Sequence, residues 1–198
     1  MRVILMGMPG AGKGTQAASL AARLAVPHVS TGDMFRSMIA AGTPLGREAQ
    51  GYLDAGAYVP DELTTRMLAE RLAHSDAAAG WILDGYPRTL TQVGDLDGIL
   101  AGAGAGLDRV VHLQVPAAEV RARLQARATA GRSDDLAEVV DARLRIYREQ
   151  TQPLLDCYAA RDQLVDVDGT GEIAEVTERI AAALGLSGAI PVQAAGRD

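Results

Sequence analysis

The sequence predicts an α/β fold of three layers, in which a central parallel sheet of five strands carries helices on both faces. Short apolar runs alternate with segments of helical periodicity along most of the chain, and this alternation is typical of parallel strands joined by helical crossovers. A glycine-rich loop joins the first apolar run to the first helical segment. With 198 residues, of which 48% are hydrophobic, the chain has the size and apolar content of a single domain.

The individual elements follow in chain order. Four of the predicted strands are recognisable as apolar runs, at 2–6, 80–85, 109–115 and 164–167. A first helix is predicted over Lys13–Leu24, which carries alanine and leucine at helical spacing. A long helix is predicted over 136–158 because one stripe of side chains recurs at helical spacing, namely Val140, Leu144, Tyr147, Thr151, Leu155 and Tyr158. Periodicity is absent from 187–198, which we expect to be a disordered tail, so the single domain covers 1–186.

The bulk composition excludes several classes of protein. The net charge of −6 and the pI near 5.1 do not provide the basic surface that nucleic acids require. No apolar run approaches the roughly 18 residues of a membrane-spanning helix, and Met1 leads directly into the first strand without room for a signal peptide. Cys157 is the only cysteine, so neither an internal disulfide nor a cysteine-built zinc site is expected. These features predict a cytoplasmic protein without nucleic-acid or membrane partners.

The glycine-rich loop Gly7–Thr15 contains the only lysine of the chain. Lysine and arginine together number 19, and Lys13 is the single lysine, which leaves 18 arginines. An ammonium is a compact charge that a tight loop can surround, whereas a guanidinium is a broad planar fork. Glycines allow successive backbone N–H groups to face an anion, and the following helix adds its positive end. A plain glycine-rich turn is the alternative, but the flanking strand and helix and the Gly-x₄-Gly-Lys spacing favour a phosphate-binding loop.

A second set of polar residues follows the apolar run Trp81–Leu83. Asp84 ends this run, and a carboxylate at that position orients Mg²⁺ or its waters in phosphate-binding folds. Arg88 follows shortly, at the carboxyl edge of the predicted sheet, where ligands bind in open α/β folds. An ordinary acidic strand end and a surface ion pair are the alternatives. The position of both residues beside the predicted phosphate loop favours a ligand site.

Four motifs together resemble the adenylate kinase family, in one order and over Met1 to about Leu184. The motifs are Gly7-Met-Pro-Gly-Ala-Gly-Lys-Gly-Thr-Gln16, Ser30-Thr-Gly-Asp-Met-Phe-Arg36, Asp84-Gly-Tyr-Pro-Arg-Thr89 with Gln92, and Gly131-Arg-Ser-Asp-Asp135. The glycine between Lys13 and Thr15 departs from the general phosphate-loop pattern but is typical of this family. The short stretch between Arg127 and Arg132 resembles the short-lid type of nucleoside monophosphate kinase, which has no structural metal.

The resemblance implies a set of site residues. ATP would be held by Gly10, Ala11, Gly12, Lys13, Gly14, Thr15, Arg127 and Gly169. The AMP pocket would contain Thr31, Arg36, Ala57, Tyr58, Val59, Gly85, Tyr86, Pro87, Arg88, Gln92, Arg132 and Arg143. The catalytic residues would be Lys13, Arg88, Arg127, Arg132 and Arg143, with Asp84 and Thr15 orienting the Mg²⁺ that accompanies ATP.

The resemblance also implies two small segments on the domain, an AMP-binding flap at about 30–59 and a lid at about 127–137. Arg121 and Arg123 match no motif position, and we interpret them as surface charges.

The implied activity is the reversible transfer of the terminal phosphoryl group from ATP-Mg²⁺ to AMP, which gives two ADP, by a monomeric protein. Gln92 suits an adenine because an amide can donate and accept hydrogen bonds at once. A UMP/CMP-type kinase of the same build is the alternative. A GTP-dependent switch is excluded, because its Asn-Lys-x-Asp guanine-reading motif needs a lysine besides Lys13.

Overall fold

The computed structural model describes residues 1–129 and 137–186, without the side chains of 128, 129, 137 and 138. Its strands are β1 (Arg2–Met6), β2 (His28–Ser30), β3 (Trp81–Asp84), β4 (Arg109–Gln114) and β5 (Leu164–Asp168). They form one sheet in the order β2-β3-β1-β4-β5, and every neighbouring pair is parallel. The predicted five-stranded parallel sheet is confirmed.

The strands are joined by helices. The described ones are α1 (Lys13–Leu24), α2 (Thr31–Ala40), α3 (Pro44–Asp54), α4 (Asp61–Leu72), α5 (Leu90–Gly102), α6 (Ala117–Thr129), α7 (Ala137–Ile146), α8 (Pro153–Ala160) and α9 (Ile173–Ala183). α1 has the predicted bounds. None of these described helices combines the length and apolar character that crossing a bilayer requires. The part of the predicted lid at 130–136, which includes Arg132, and the predicted tail at 187–198 lie outside the described residues.

Both faces of the sheet are covered, and β1 shows why its sequence is apolar throughout. Val3 and Leu5 pack into a core shared with α1, α6 and α9, whereas Ile4 and Met6 pack into a second core shared with α4, α5 and α8. All four side chains are at most 3% exposed. Successive residues of a strand point to opposite faces, so a strand between two helical layers needs apolar side chains at every position. The helices on both faces confirm the predicted layers.

β2 is the strand that no apolar run indicated. It has three residues and pairs only with β3. A strand this short carries too little periodicity to be recognised in sequence. Its last residue, Ser30, caps α2 by accepting a hydrogen bond from the Asp33 N–H at 3.3 Å. β2 therefore delivers α2 to the carboxyl edge of the sheet.

The predicted helix 136–158 contains a π turn at Tyr147–Thr151, between α7 and α8. The Gln152 N–H donates to the Tyr147 carbonyl at 2.8 Å, five residues back instead of four. Pro153 follows directly; it has no N–H to donate, and its ring crowds the carbonyl of the preceding turn. The widened turn accommodates this proline without ending the helix.

The buried face of this helix differs from the predicted stripe at one position. Thr151 and Tyr158 are 5% and 1% exposed, as the stripe requires. Between them Leu154 is fully buried, whereas Leu155, which the stripe placed in the core, is only partly buried.

Segment 30–59 contributes to a small buried cluster apart from the two sheet cores. Phe35 of α2, Ala49 of α3 and Val59 meet Met67 of α4 in this cluster. α4 also places Leu68 in the second sheet core, so the cluster links the segment to a helix that packs on the sheet.

Gly46 of α3 lies directly against the backbone of α2. A Cβ on Gly46 would lie 2.3 Å from the carbonyl carbon and oxygen of Met38, which is backbone and has little room to yield. Gly51, one and a half turns later in α3, faces open space. The two glycines of one helix therefore have different roles, and only Gly46 is required by packing.

We expect Gly46→Ala to lower the free energy of unfolding by about 1–3 kcal/mol, because the new methyl group forces α2 and α3 apart. Gly51→Ala is the matched control, and it should raise stability by about 0.5–1 kcal/mol because alanine is the better helix former. Urea unfolding of both variants measures the difference. Equal effects of the two substitutions would contradict the assigned packing role of Gly46.

Candidate active site

The carboxyl edge of the sheet, between β1 and β3, opens on a cavity of about 330 Å³. The glycine loop and the segment after β3 meet there, as the sequence predicts. The lining residues are Pro9, Gly10, Gly12, Lys13, Gly14, Thr15, Ser30, Gly32, Asp33, Arg36, Asp84, Gly85, Arg88, Arg127 and Arg143. Five of these side chains are cationic and two are anionic, although the whole chain has a net charge of −6. The cavity therefore suits a highly anionic ligand.

The loop between β1 and α1 takes its shape from glycine. Gly10 and Gly12 have φ angles of 88° and 94°, which residues with a side chain rarely adopt. A Cβ on Gly10 would also lie 2.8 Å from Leu124 Cγ of α6. α1 begins at Lys13, and the N–H groups of its first turn have no acceptor within the helix. These residues line the cavity, so their amides and the positive end of α1 form a cradle of the kind that suits a phosphate.

Lys13 folds back onto the loop that precedes it. Its Nζ donates to the carbonyls of Gly7 and Met8, at 2.9 and 3.0 Å. Burial lowers the pKa of Lys13 to about 8; the charge of Asp84 opposes this shift, and nearby cations add to it, namely Arg88, Arg143 and Arg127. An anion bound among these cations would restore the charged ammonium.

Asp84 and Thr15 are the predicted magnesium-orienting residues, and both line the cavity. Asp84 Oδ2 lies 3.6 Å from the position of a Cβ on Gly14, so the carboxylate faces the start of α1. A carboxylate and a hydroxyl are hard oxygen donors of the kind Mg²⁺ prefers. Within the described part of the chain no group of three or more His, Cys, Asp or Glu side chains is arranged to hold a metal ion. The residues present fit an Mg²⁺ that arrives on a phosphate and keeps most of its waters.

Arg88 is held at several atoms. Its Nε donates to the Gly85 carbonyl at 2.7 Å, and its backbone N–H donates to Gln92 Oε1 at 2.7 Å. Its guanidinium lies 4.8 Å from the ring centroid of Tyr58, a cation–π distance. Thr31 Oγ1 donates to the same Gly85 carbonyl at 3.0 Å. Arg88 is therefore placed at the cavity by fixed contacts.

Gln92 does not present a free amide to the cavity. It is 1% exposed, and its Oε1 accepts from the Arg88 N–H while its Nε2 donates to Asp61 Oδ1 at 2.7 Å. Asp61 also accepts from Thr89 Oγ1 at 2.7 Å. An adenine could therefore bind the Gln92 amide only by replacing one of these partners. The residue type of Gln92 does not indicate that its amide is already hydrogen-bonded. Asp61 itself was missed, because one acidic residue after a proline carries no motif.

The predicted AMP residues gather around narrow cavities next to the main one. One cavity of about 20 Å³ is lined by seven of them: Thr31, Ala57, Tyr58, Val59, Gly85, Arg88 and Gln92. Another of about 60 Å³ is lined by Tyr86 and Pro87 together with Lys13, Arg88 and Arg143. Arg36 lies on the main cavity, where it pairs with Asp33. Arg88 lines all three cavities, so it stands at the junction between the phosphate loop and the predicted acceptor pocket.

The interpretation of Arg123 as a surface charge is wrong. Its guanidinium donates to the carbonyl of Ala11 in the phosphate loop and to that of Gly169 after β5, each at 3.2 Å, and pairs with Glu119. Gly169 also packs tightly, since a Cβ there would lie 2.7 Å from Val115 Cγ2. Arg123 thus joins the loop to Gly169, which the resemblance assigns to ATP binding. In the sequence, the only sign that Arg123 is ordered is that it follows Glu119 by four residues, the spacing of an ion pair on a helix.

Arg127 and Arg143 line the main cavity and lower the pKa of Lys13, so the structure brings both to the predicted place. Gly56 contacts the helix that carries Arg143, because a Cβ on Gly56 would lie 3.0 Å from Val139 Cγ1 and 3.1 Å from Arg143 Cγ. The end of segment 30–59 therefore rests against α7. Arg121 is exposed and pairs with Asp141, in agreement with its interpretation as a surface charge.

Comparison with known proteins identifies relatives along nearly the whole chain. A sequence model of the family described as adenylate kinase matches residues 5–163. An adenylate kinase of Nocardioides sp. (strain ATCC BAA-499 / JS614) is 52% identical over 185 residues, which cover 93% of this chain and 97% of that protein. An adenylate kinase of Clavibacter michiganensis subsp. michiganensis is 50% identical over 197 residues, covering 99% and 98%. An adenylate kinase of Mycolicibacterium smegmatis is 51% identical over 185 residues, covering 93% and 99%.

The lowered pKa of Lys13 predicts how stability changes with pH. The pKa is about 8 in the folded chain and 10.5 in its ordinary state, so the unfolded chain binds the proton more tightly between these values. The free energy of unfolding should therefore rise between about pH 8 and 10 by ~1–2 kcal/mol relative to a variant without this amine.

Lys13→Met provides the comparison, measured by urea unfolding across this pH range. Parallel pH profiles of the two proteins would show that Lys13 is not buried with a lowered pKa.

Proposed function

The chain belongs to the adenylate kinase family, and on that premise we propose that its cavity is the site where the terminal phosphoryl group of ATP passes reversibly to AMP, giving two ADP. The observation that carries this assignment is the grouping of Lys13, Arg88, Arg127 and Arg143 around one cavity. Transfer between two nucleotides brings strongly repelling phosphates together, and the protein must neutralise and align them. The chain is thus an ATP:AMP phosphotransferase.

The donor phosphates would lie in the cradle at the start of α1. Backbone N–H groups bind the oxygens, and Lys13 exchanges its two carbonyl partners for phosphate oxygens. The Gly10–Thr15 backbone supplies the cradle, whereas Arg127 and Gly169 would contact the rest of ATP. An ammonium that leaves two loop carbonyls for a phosphate keeps its hydrogen bonds and gains a charged partner.

Mg²⁺ would arrive with ATP, and its contribution when bound is to neutralise charge on the phosphate oxygens. Asp84 would orient it from the end of β3, and the Thr15 hydroxyl from the first turn of α1. Asp84 also supports Lys13, since its negative charge favours the ammonium form.

The acceptor phosphate would bind Arg88, with AMP held in the pocket lined by Thr31, Ala57, Tyr58, Val59, Gly85 and Gln92 and bordered by Arg36, Tyr86 and Pro87. Arg88 lies on both the donor and the acceptor side of the cavity, so it can contact the transferred group as well as AMP. Arg143 would add a further positive charge beside the phosphates. Arg132, which lies outside the described residues, would add another. No general base is needed, because the attacking phosphate oxygen is already ionised.

Water is the competing acceptor. We propose that segments 30–59 and 127–137 close over both nucleotides and exclude it. Phe35, Ala49 and Val59 of segment 30–59 pack together apart from both sheet cores, which supports movement of the segment as a unit. We also propose that the protein is a monomer and that it acts in the cytoplasm.

The main test is the formation of ADP from ATP, Mg²⁺ and a nucleoside monophosphate, followed in a coupled assay with AMP, UMP, CMP and GMP. We expect AMP to be the preferred acceptor and the reaction to stop when Mg²⁺ is chelated. The relatives, all named adenylate kinase, favour AMP over the UMP/CMP alternative. Preferred use of UMP or CMP would overturn the acceptor assignment, and no turnover with any of the four would overturn the reaction.

Lys13→Arg tests whether the cradle needs a compact cation. A guanidinium has the same charge but is too broad to fit between the Gly7 and Met8 carbonyls. We expect kcat to fall ~100-fold with an unchanged circular dichroism spectrum, as for other small misplacements of reacting groups. Near-normal kcat in a folded variant would show that size does not matter at this position.

Arg88→Ala tests the junction between donor and acceptor. We expect kcat/KM for AMP to fall by ~10²–10³, since a charge partner of the transferred group is lost. Arg47→Ala is a suitable control, because Arg47 lies on α3 away from the lining of the cavity. Comparable losses in the two variants would remove the special role of Arg88.

A further inference from the structure

The side chain of Thr151, in the π turn, makes a hydrogen bond outside its own helix. Thr151 Oγ1 donates to the carbonyl of Arg88 at 2.9 Å, across 63 positions of sequence. A threonine within a helix usually donates to a carbonyl of the preceding turn of the same helix. The side chain is 5% exposed, so this contact is made in the interior.

Tyr58 joins the same arrangement from the other side. Its hydroxyl lies 2.8 Å from Thr151 Oγ1, and its ring lies beneath the Arg88 guanidinium, 4.8 Å from ring centroid to Cζ. Thr151 has one hydroxyl proton, which goes to the Arg88 carbonyl. The Tyr58 hydroxyl must therefore be the donor to Thr151.

We propose that Thr151 and Tyr58 are positioning residues that hold Arg88 in the orientation required to bind the acceptor phosphate. This inference rests on the proposed function of the cavity, and it assigns a role to two side chains that do not themselves need to touch the phosphate. The order of contacts is Tyr58 hydroxyl to Thr151 hydroxyl to Arg88 carbonyl.

The arrangement holds Arg88 along its whole length. Its backbone N–H is bound by Gln92, its carbonyl by Thr151, its Nε by Gly85, and its guanidinium face by Tyr58. A long side chain loses conformational freedom when it binds, and fixing it beforehand reduces that loss. We therefore expect the fixed position of Arg88 to increase the affinity of the protein for AMP.

Thr151 closes the π turn and keeps the core-facing position that the helical stripe predicts. From there its side chain reaches out of its own helix to the Arg88 carbonyl. The same helical segment carries Arg143 in α7, and Tyr58 follows α3 in segment 30–59. Through Tyr58, Thr151 therefore connects Arg88 with segment 30–59, one of the two regions that are proposed to close.

The test compares Thr151→Val, which keeps the shape and removes the hydroxyl, with Thr151→Ser, which keeps the hydroxyl. For Thr151→Val we expect AMP affinity, measured by calorimetry, to fall about fivefold to tenfold, the effect of roughly one lost hydrogen bond. ATP affinity should stay within about twofold, and Thr151→Ser should restore most of the AMP affinity. Thr91→Val, the same change on an exposed residue of α5, is the matched control.

Tyr58→Phe removes only the hydroxyl and keeps the ring under Arg88, so we expect a smaller loss of AMP affinity, about twofold to fivefold. Its control is Tyr52→Phe, on a residue of α3 that is 37% exposed. Tyr58→Phe also serves as the test if Thr151→Val fails to fold.

The Arg88→Ala background separates positioning from general stability. If Thr151 acts through Arg88, then Thr151→Val should change AMP affinity less than about twofold once the guanidinium is gone. An undiminished effect in that background, equal losses for ATP and AMP, or no rescue by serine would overturn the proposal. Failure of the unmodified protein to make ADP would instead overturn the proposed function, so the two failures are distinguishable.

Discussion

The constraint on which the site depends is the confinement of several cations around one partly buried cavity. Burial lowers the pKa of Lys13 to about 8; the charge of Asp84 opposes this shift, and the charges of Arg88, Arg143 and Arg127 add to it. Such a group of like charges is held together by the rest of the fold rather than by its own interactions. The sheet, buried on both faces, provides the rigid edge from which the loops project. The ligand that resolves the repulsion is one with several negative charges.

In the free protein, backbone carbonyls accept hydrogen bonds from two of the cations that line the site. The ammonium of Lys13 binds two carbonyls of its own loop, and the Nε of Arg88 binds the Gly85 carbonyl. A carbonyl oxygen accepts a hydrogen bond but carries no net charge. A phosphate oxygen is charged, so the hydrogen bond that it accepts from a cation is stronger. At the proposed site, phosphate binding would exchange a neutral partner for a charged one, and it would use donors whose geometry is already fixed by the fold.

Sequence reasoning predicted the features that depend on local pattern. The phosphate loop, the strand ending at Asp84 and the first helix are each contiguous, and their periodicity or glycine spacing is visible without knowledge of distant contacts. The features that were missed either leave too weak a local pattern or depend on partners far along the chain. β2 is too short for a pattern, the π turn follows from how one proline is accommodated, and Arg123 acquires its role only when β5 brings Gly169 beside the loop. Gln92 shows the same limit, since its residue type suited a base and its actual partners are two other protein groups.

The single lysine has a chemical consequence. Lys13 carries the only side-chain amine in the sequence, so an acylating reagent has a single ε-amine to modify. At mildly alkaline pH a substantial share of that ε-amine is neutral, and the neutral amine is the nucleophile. A nucleotide bound at the proposed site would cover the amine and restore its proton, so acylation of the peptide that carries Lys13 would report whether the cradle was empty or filled.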